Sequence, residues 1–419
     1  MFKRLNSIFF LISFITIAFA HSACQANGGR SLTLSEASAA IETEPQTRPS
    51  PVNQEPVKIA AVGDIMLGST FPEDTRMPPA DGAELLAEVT PILESADIAF
   101  GNLEGPLIDD GISEKCPDFL ALKKDKETKV ENSQIAALPS SSINTLPAAP
   151  AKKFTCFAFQ VPTRYGKYLK DAGFDVLSLA NNHASDFGDA GRASSRKVLD
   201  ELGIKHAGAD KNRHAVAYLE AKGKKIAFVG FAHNDISLNI NNLEAARKFV
   251  QAQTKKADII VVSFHGGAEG NAAQHVPRET EIFYGEKRGN LRVFARTVID
   301  AGADLVLGHG PHVLRGMELY KNRLIAYSLG NFATYGWFSL KDAAALTMIL
   351  ETDIASDGRF LSGKIHAGKQ EGWGGPILDE TKRTAIMKVR LLSQDDFGAN
   401  APVIKDDGTI TVSSRTSFR

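Results

Sequence analysis

In Ile59-Ala60-Ala61-Val62-Gly63-Asp64, a short apolar run ends directly in a glycine and a carboxylate. Four later apolar runs, at residues 98–100, 176–180, 259–264 and 305–307, also end in polar side chains. Those side chains are Asn102, Glu104, Asn182, His183, His265, His309 and His312. Short apolar runs that alternate with longer amphipathic ones are typical of an α/β fold with a parallel or mixed sheet.

The polar strand ends predict one shared site. In open α/β sheets, the loops that leave the carboxyl ends of the strands open onto one crevice. A single carboxylate or imidazole after a strand is more often a turn or loop residue, so the prediction depends on all five strand ends together. Imidazole, carboxylate and amide ligands suit Mn²⁺, Fe, Zn²⁺ or Mg²⁺, whereas the lack of paired thiolates argues against a structural zinc cluster.

Composition excludes several classes of protein. The chain has 419 residues, enough for two or three domains or one large domain with insertions. Hydrophobic residues make up 43% and the net charge is −1, so bulk disorder is excluded. A near-neutral chain also lacks the basic surface that nucleic-acid binding needs, and we expect no nucleic-acid partner.

The first apolar run predicts export. Lys3 and Arg4 precede apolar residues 8–20, which are too few to span a membrane and are typical of a signal peptide over residues 1–24. We therefore expect a periplasmic or extracellular protein, with lipid attachment at Cys24 as an alternative to simple cleavage. Residues 25–57, rich in Ser, Glu and Pro, are expected to form a disordered tether.

The rest of the chain is expected to hold one main domain, residues 58–340, with a C-terminal mainly β extension at 341–419 packing on it. Residues 109–155 are poor in apolar side chains and predict a surface insertion. Cys116 and Cys156 lie at its two ends, and in an exported chain this predicts a disulfide. Two free buried thiols are the alternative.

Six blocks in order carry a resemblance to a known family. They read GDIMLG at 63–68, GNLE at 101–104, LANNHA at 179–184, SFHGGAE at 263–269, GHGPH at 308–312 and YSLGNF at 327–332. Over residues 58–335 the chain resembles the CapA family of poly-γ-glutamate capsule-synthesis proteins. That family is similar in turn to the calcineurin-like metallophosphoesterases, so the resemblance implies a four-layered α/β sandwich with a surface insertion and a C-terminal mainly β extension.

The resemblance also implies roles for individual residues. Asp64 and His312 would hold one divalent ion, and Asn182, His265 and His309 a second. Glu104 would lie near both ions, and His183 would act as the proton donor. Further candidates for substrate binding are Asn102, Glu269, Arg278, Arg288 and Asn331.

Two positions depart from the phosphoesterase pattern. Met66 stands where a histidine ligand is expected, and Asn102 with Glu104 replaces an aspartate. Two ions, one ion and no ion therefore remain open. So do two functions. The first is a metal-dependent hydrolase or transferase that acts on a phosphorylated or amide-linked intermediate of an envelope polymer. The second is an exported accessory factor that binds or guides an anionic polymer such as poly-γ-glutamate without doing chemistry, and a membrane synthase complex is a candidate partner.

Overall fold

The computed structural model describes residues 55–117, 156–372 and 374–412. The predicted signal peptide, Cys24, nearly all of the tether and most of the insertion lie outside the described residues. Within them, no helix is both long and apolar enough to cross a lipid bilayer.

The described strands and helices follow one another as an α/β chain. The strands are β1 (Val57–Met66), β2 (Ile98–Leu103), β3 (Val176–Ser178), β4 (Lys205–Ala207), β5 (Val216–Ala221), β6 (Lys224–Ala232), β7 (Leu238–Asn239), β8 (Ile259–His265), β9 (Glu281–Phe283), β10 (Glu286–Gly289), β11 (Leu305–His309), β12 (Met317–Tyr320), β13 (Arg323–Ala326), β14 (Asn331–Thr334), β15 (Leu346–Ile354), β16 (Phe360–Glu371), β17 (Gly375–Leu378), β18 (Val403–Ile404) and β19 (Thr409–Thr411). The helices are α1 (Thr90–Glu94), α2 (Gly166–Asp171), α3 (Gly188–Glu201), α4 (Leu243–Gln253), α5 (Leu291–Asp300) and α6 (Thr384–Phe397).

The strands form two mixed sheets and one hairpin. The first sheet has the order β18-β19-β16-β15-β1-β2-β3-β4, with β14 paired to β1 and β17 to β16. The second has the order β12-β13-β11-β8-β6-β5, with β7 paired to β6. Strands β1 to β4 are parallel to one another, and so are β6, β8 and β11. Strands β9 and β10 pair with each other in a separate two-stranded sheet.

Alternation along the strands builds three apolar layers. Ile59 of β1 and Phe228 of β6 belong to the core between the sheets, where Phe228 stacks on Phe100 of β2 at 5.5 Å. The alternate residue Val62 packs against the α2 and α3 side, and Val262 of β8 packs with α4 and α5. Successive side chains of a strand point to opposite faces, so strands buried on both sides are apolar throughout. The predicted four-layered α/β sandwich is therefore confirmed.

The C-terminal segment is mainly β, as expected, and it completes the first sheet. Strand β15 pairs antiparallel with β1 along six residues and lies between β1 and β16. Helix α6 is its main non-β element, and Ala385, Ile386 and Val389 of that helix join the core between the sheets.

The predicted disulfide is present. Cys116 and Cys156 are bonded, with their Cα atoms 6.0 Å apart. The described start of the insertion is not merely a surface segment, because Ser113 is buried and its hydroxyl donates to the backbone oxygen of Asp186. This packing brings Lys115 to the candidate site.

Candidate functional site

The register of the parallel strands brings the predicted polar strand ends together. Asp64 of β1 lies opposite Asn102 of β2, and His265 of β8 lies opposite His309 of β11. Contacts between side chains from the two sheets then join these pairs: His309 Nδ1 is 3.3 Å from Asp64 Oδ1, and His265 Nε2 is 3.2 Å from Glu104 Oε1. The structure therefore brings these strand-end side chains together.

Asp64 is held at the centre of the site by its neighbours. A Cβ on Gly63 would lie 1.9 Å from the backbone oxygen of Gly330, so only glycine allows β1 to approach that turn. This approach lets the Asp64 N–H donate to the same oxygen at 2.9 Å. Asn102 Nδ2 donates to Asp64 Oδ1 at 2.8 Å, and His312 Nδ1 lies 3.0 Å from Oδ2. Asn102 therefore orients the carboxylate.

The titratable side chains of the site are buried, and burial and their mutual contacts shift their pKa values. Burial alone would raise the pKa of Asp64, but the imidazoles of His309 and His312 hold it well below its ordinary value. Burial raises the pKa of Glu104 well above its ordinary value and lowers that of His265 well below its own. Burial opposes charge on His312 too, yet Glu104 and Asp64 raise its pKa to about 10. These carboxylates favour a positive charge beside them.

The donor set fits a divalent ion. One ligand atom from each of Asp64, Glu104 and His312 can be chosen so that all lie within 4.8 Å of one another. Within the described part of the chain, several buried polar atoms of the site have no hydrogen-bond partner. They are Glu104 Oε2, Asn182 Oδ1, His265 Nδ1 and His309 Nε2. Unpaired buried polar atoms cost free energy, and a bound cation would satisfy them.

The loop that carries His312 has a strained backbone. His312 has φ 58°, in the left-handed region that residues with a Cβ adopt only at a cost. It follows Gly310 and Pro311 after β11, and the turn aims its ring between Asp64 and Glu104. Strain of this kind is common where a side chain is held for function.

The Asn181–His183 segment after β3 is anchored to the same centre. Asn181 Nδ2 donates to Asn102 Oδ1 and to the backbone oxygen of Leu103, and Asn181 Oδ1 accepts from the His183 N–H. His183 Nδ1 lies 2.8 Å from Asp186 Oδ2. Lys115 Nζ lies 3.1 Å from both His183 Nδ1 and Asp186 Oδ1. Burial lowers the pKa of His183.

The candidate substrate-binding residues have different fates. Arg288 and Glu269 line the cleft and pair with each other at 2.9 Å. Arg278 is exposed, and its backbone oxygen accepts a hydrogen bond from Asn290 Nδ2. Asn331 is buried in β14 and donates to the Ala344 backbone oxygen. The structure thus does not place Arg278 or Asn331 on the cleft.

Sequence reasoning misses three kinds of site residue. Lys115 and Asp186 lie outside the polar strand ends, and the sequence argument selects Asn182 rather than Asn181. The third kind is aromatic: a cavity of about 740 Å³ opens onto His183 and His312 and is lined by several aromatic rings. Of these rings, the sequence suggests only Trp337 as a groove residue, with a core or rim role as an equal alternative. The one available signal is the spacing of Asp186, three residues after His183.

Met66 explains one departure from the phosphoesterase pattern. Its side chain is fully buried in the apolar layer on the helix side of the first sheet. The strand pairing of β1 is irregular between Asp64 and Ile65. The side chain of Met66 therefore does not point to the same side of the strand as Asp64, as regular alternation would require. Met66 therefore belongs to the core and supplies no ligand.

Comparison with known proteins gives the family. Residues 58–335 match the model of the bacterial capsule synthesis protein PGA_cap. The chain belongs to this family. The resemblance to capsule-synthesis proteins is thereby confirmed over the span from which it was predicted.

Two relatives are named as proteins of capsule or PGA biosynthesis. The capsule biosynthesis protein CapA of Bacillus anthracis is 27% identical over 371 residues, covering 84% of this chain and 77% of the relative. The PGA biosynthesis protein CapA of Bacillus subtilis (strain 168) is 28% identical over 315 residues, covering 71% and 68%. A hypothetical protein from Thermus thermophilus is similar in structure, with 15% identity and a TM-score of 0.43 over 76% of this chain and all of that one.

Proposed function

We propose that this PGA_cap protein is a metal-dependent hydrolase that acts on an intermediate of envelope polymer synthesis. The observation that carries the proposal is the buried cluster of carboxylates and imidazoles with unpartnered ligand atoms. A protein that only guides a polymer would gain nothing from a buried, unsatisfied ligand set, which costs stability.

The proposed ligands are Asp64, Glu104, Asn182, His265, His309 and His312. Glu104 lies between two of the other proposed ligands, since its carboxylate contacts both His265 and His312. Bound there, a divalent ion (Mn²⁺, Zn²⁺, Fe or Mg²⁺) would polarise a phosphoryl or carbonyl oxygen as a Lewis acid.

His183 is proposed to donate the proton to the leaving group. Its Nδ1 faces Asp186 and Lys115, which leaves Nε2 for the cleft that the ring lines. The Asp186 carboxylate fixes the ring orientation, and stacking of Phe159 on the ring at 4.2 Å holds its plane. A positioned histidine of this kind contributes to proton transfer in many hydrolases.

The proposed setting follows from the family and the sequence. Capsule synthesis takes place at the cell envelope, so we propose a periplasmic or extracellular protein, either free or lipid-anchored through Cys24. Its substrate would be a phosphorylated intermediate or the anionic polymer itself, and a membrane synthase complex would be its partner.

A substrate panel with added metal tests the function. Purified protein, loaded in turn with Mn²⁺, Zn²⁺ and Mg²⁺, would be assayed on aryl phosphate monoesters, aryl phosphodiesters and γ-glutamyl amides. We expect hydrolysis of at least one class, abolished by a chelator and by Asp64→Asn, and retained in the matched control Asp210→Asn. Inactivity of the wild type on all classes and metals would favour the non-catalytic accessory factor instead.

A further inference from the structure

The cleft over the candidate metal centre has an apolar wall made of rings. The rings belong to Phe157, Phe159, Phe283, Tyr284, Trp337 and Phe338. Among the described residues that line the cleft, no Leu, Ile, Val or Met side chain takes part. An apolar wall of this composition offers flat π faces and ring edges, whereas an alkyl chain would normally be met by aliphatic side chains as well.

The wall begins at the proposed reacting centre and continues outward. Phe338 lies edge-on to His312 with ring centroids 4.7 Å apart, and Phe159 stacks on His183. Phe159 and Phe338 are themselves 5.5 Å apart. A ring attached close to the reacting group of a substrate would therefore reach this wall.

The outer rings are held in exposed positions. Phe157 is 49% exposed and Tyr284 is 91% exposed, which is unusual for aromatic side chains. Tyr284 lies at the tip of the β9–β10 hairpin with φ 48°, a left-handed conformation that is costly for a bulky residue. Its ring packs edge-on against Phe283 at 4.4 Å. Strain that presents an exposed ring beside a cleft points to binding rather than core packing.

The cations on this cleft are already paired. Lys115 contacts Asp186 at 3.1 Å, and Arg288 contacts both Glu269 and Glu286 at 2.9 Å. A carboxylate-rich chain laid along the wall would meet no uncompensated cation among the described lining residues. One anionic group is instead best accommodated at the metal centre itself.

We propose that the cleft binds a substrate in which one phosphate-type group is joined to a planar heteroaromatic ring, as in a nucleoside phosphate. The phosphate would lie at the metal centre and the ring would stack on the aromatic wall. This inference rests on the proposed function, because it uses the same centre. Stacking of a base on aromatic side chains adds substantial affinity and needs no particular base.

Equilibrium binding by calorimetry tests the inference without turnover. The full chain, loaded with Mn²⁺, would be titrated with non-hydrolysable phosphonate analogues of adenosine 5′-monophosphate and of ribose 5-phosphate. In both analogues a CH₂ group replaces the 5′ ester oxygen, and the ribose compound carries a hydroxyl where the adenosine compound carries the base. We expect the adenosine compound to bind about tenfold more tightly or better. Tyr284→Ala and Phe157→Ala should each weaken this preference, and Tyr284→Phe should retain it. The matched control is Leu391→Ala, which removes an exposed side chain of α6.

Several outcomes would overturn the inference. They are equal affinity for the two analogues, no binding of either, an unchanged preference in both ring-to-alanine variants, and tighter binding of farnesyl phosphate than of the adenosine compound. The proposed function fails separately. If the protein prefers the adenosine analogue but hydrolyses no ester, the base-binding inference holds and the proposed hydrolase function fails. If the protein is an active hydrolase but binds both analogues equally, the hydrolase function holds and the base-binding inference fails.

Discussion

Lys115 shows how much of the site depends on tertiary contacts of single residues. It precedes Cys116 in a stretch poor in apolar residues, yet its Nζ contacts His183 and Asp186. The polar strand ends could be predicted because a parallel sheet directs its carboxyl ends to one edge. Lys115 could not, since its position depends on where the disulfide and Ser113 fix a loop.

Substituting His183 separates proton donation from metal binding. His183→Ala should leave the metal content unchanged, because Asn182 is the proposed ligand from that loop. Activity on an aryl phosphate ester should fall by about 10²–10⁴-fold, the usual contribution of general acid catalysis. Metal analysis and steady-state kinetics on the same preparation check both parts. A matched His275→Ala, which removes an exposed histidine, should change neither, and loss of metal in His183→Ala would make His183 a ligand.

The β9–β10 hairpin is an element that the local sequence does not reveal. Residues 279–289 are rich in charge and favour a solvated loop, whereas the structure shows two short paired strands. The cause is Glu281, whose carboxylate accepts from both terminal nitrogens of Arg315, at 2.9 and 2.7 Å. Such a long-range buried ion pair leaves no periodicity in the local sequence.

This ion pair gives a stability prediction for the hairpin. Arg315 is fully buried and Glu281 is nearly so, so Arg315→Met leaves an unpaired buried carboxylate. We expect the free energy of unfolding to fall by about 3–5 kcal/mol. The double variant Arg315→Met/Glu281→Leu should recover much of this loss, because it removes both charges. Urea unfolding measures the free energy of unfolding of the single and the double variant. A single variant as stable as the wild type would show that the Arg315–Glu281 ion pair contributes nothing to stability.

Strands β15 and β16 carry a pH-dependent contact. A hydrogen bond from His366 lowers the pKa of Glu351 below its ordinary value of 4.5. A depressed carboxylate pKa stabilises the fold above the unfolded value and loses that effect as the pH falls through the folded value. The wild type should therefore exceed His366→Ala by about 0.5 kcal/mol at pH 6, given partial solvent screening, and this difference should shrink as the pH falls below 4.5. Unfolding curves recorded over this pH range check the prediction, and a difference that does not change with pH would contradict it.

At the scale of the molecule, an α/β fold could be predicted because short apolar runs alternate with longer amphipathic ones, and the four-layered sandwich is what the resemblance carried by the six blocks implies. The aromatic cleft could not, because its rings come from residues 157–159, 283–284 and 337–338, which meet only in the folded chain. The C-terminal segment was expected to pack on the domain, and only strand pairing shows that β15 borders β1 inside the sheet.

The disulfide is expected to raise the free energy of unfolding of the domain. It joins residues 40 positions apart, and closing a loop of that length stabilises by about 4 kcal/mol on the chain-entropy model. Cys116→Ser/Cys156→Ser should therefore lower the free energy of unfolding by about 2–4 kcal/mol. Guanidinium unfolding with and without a reductant measures this. The reductant should lower the midpoint of the wild type and leave the double serine variant unchanged, and an insensitive wild type would contradict the prediction.

The metal content of the purified protein shows whether the buried cluster of carboxylates and imidazoles binds an ion. Protein incubated with Mn²⁺, Zn²⁺, Fe²⁺ or Mg²⁺ and freed of excess ion would be analysed by mass spectrometry for bound metal, alongside Glu104→Gln and the exposed control Glu220→Gln. We predict at least about one tightly bound ion per chain in the wild type and in the control, and a clear loss in Glu104→Gln, because that carboxylate joins both sides of the centre. Wild-type protein that retains none of the four ions, or Glu104→Gln that retains as much metal as the wild type, would contradict a metal centre at this cluster.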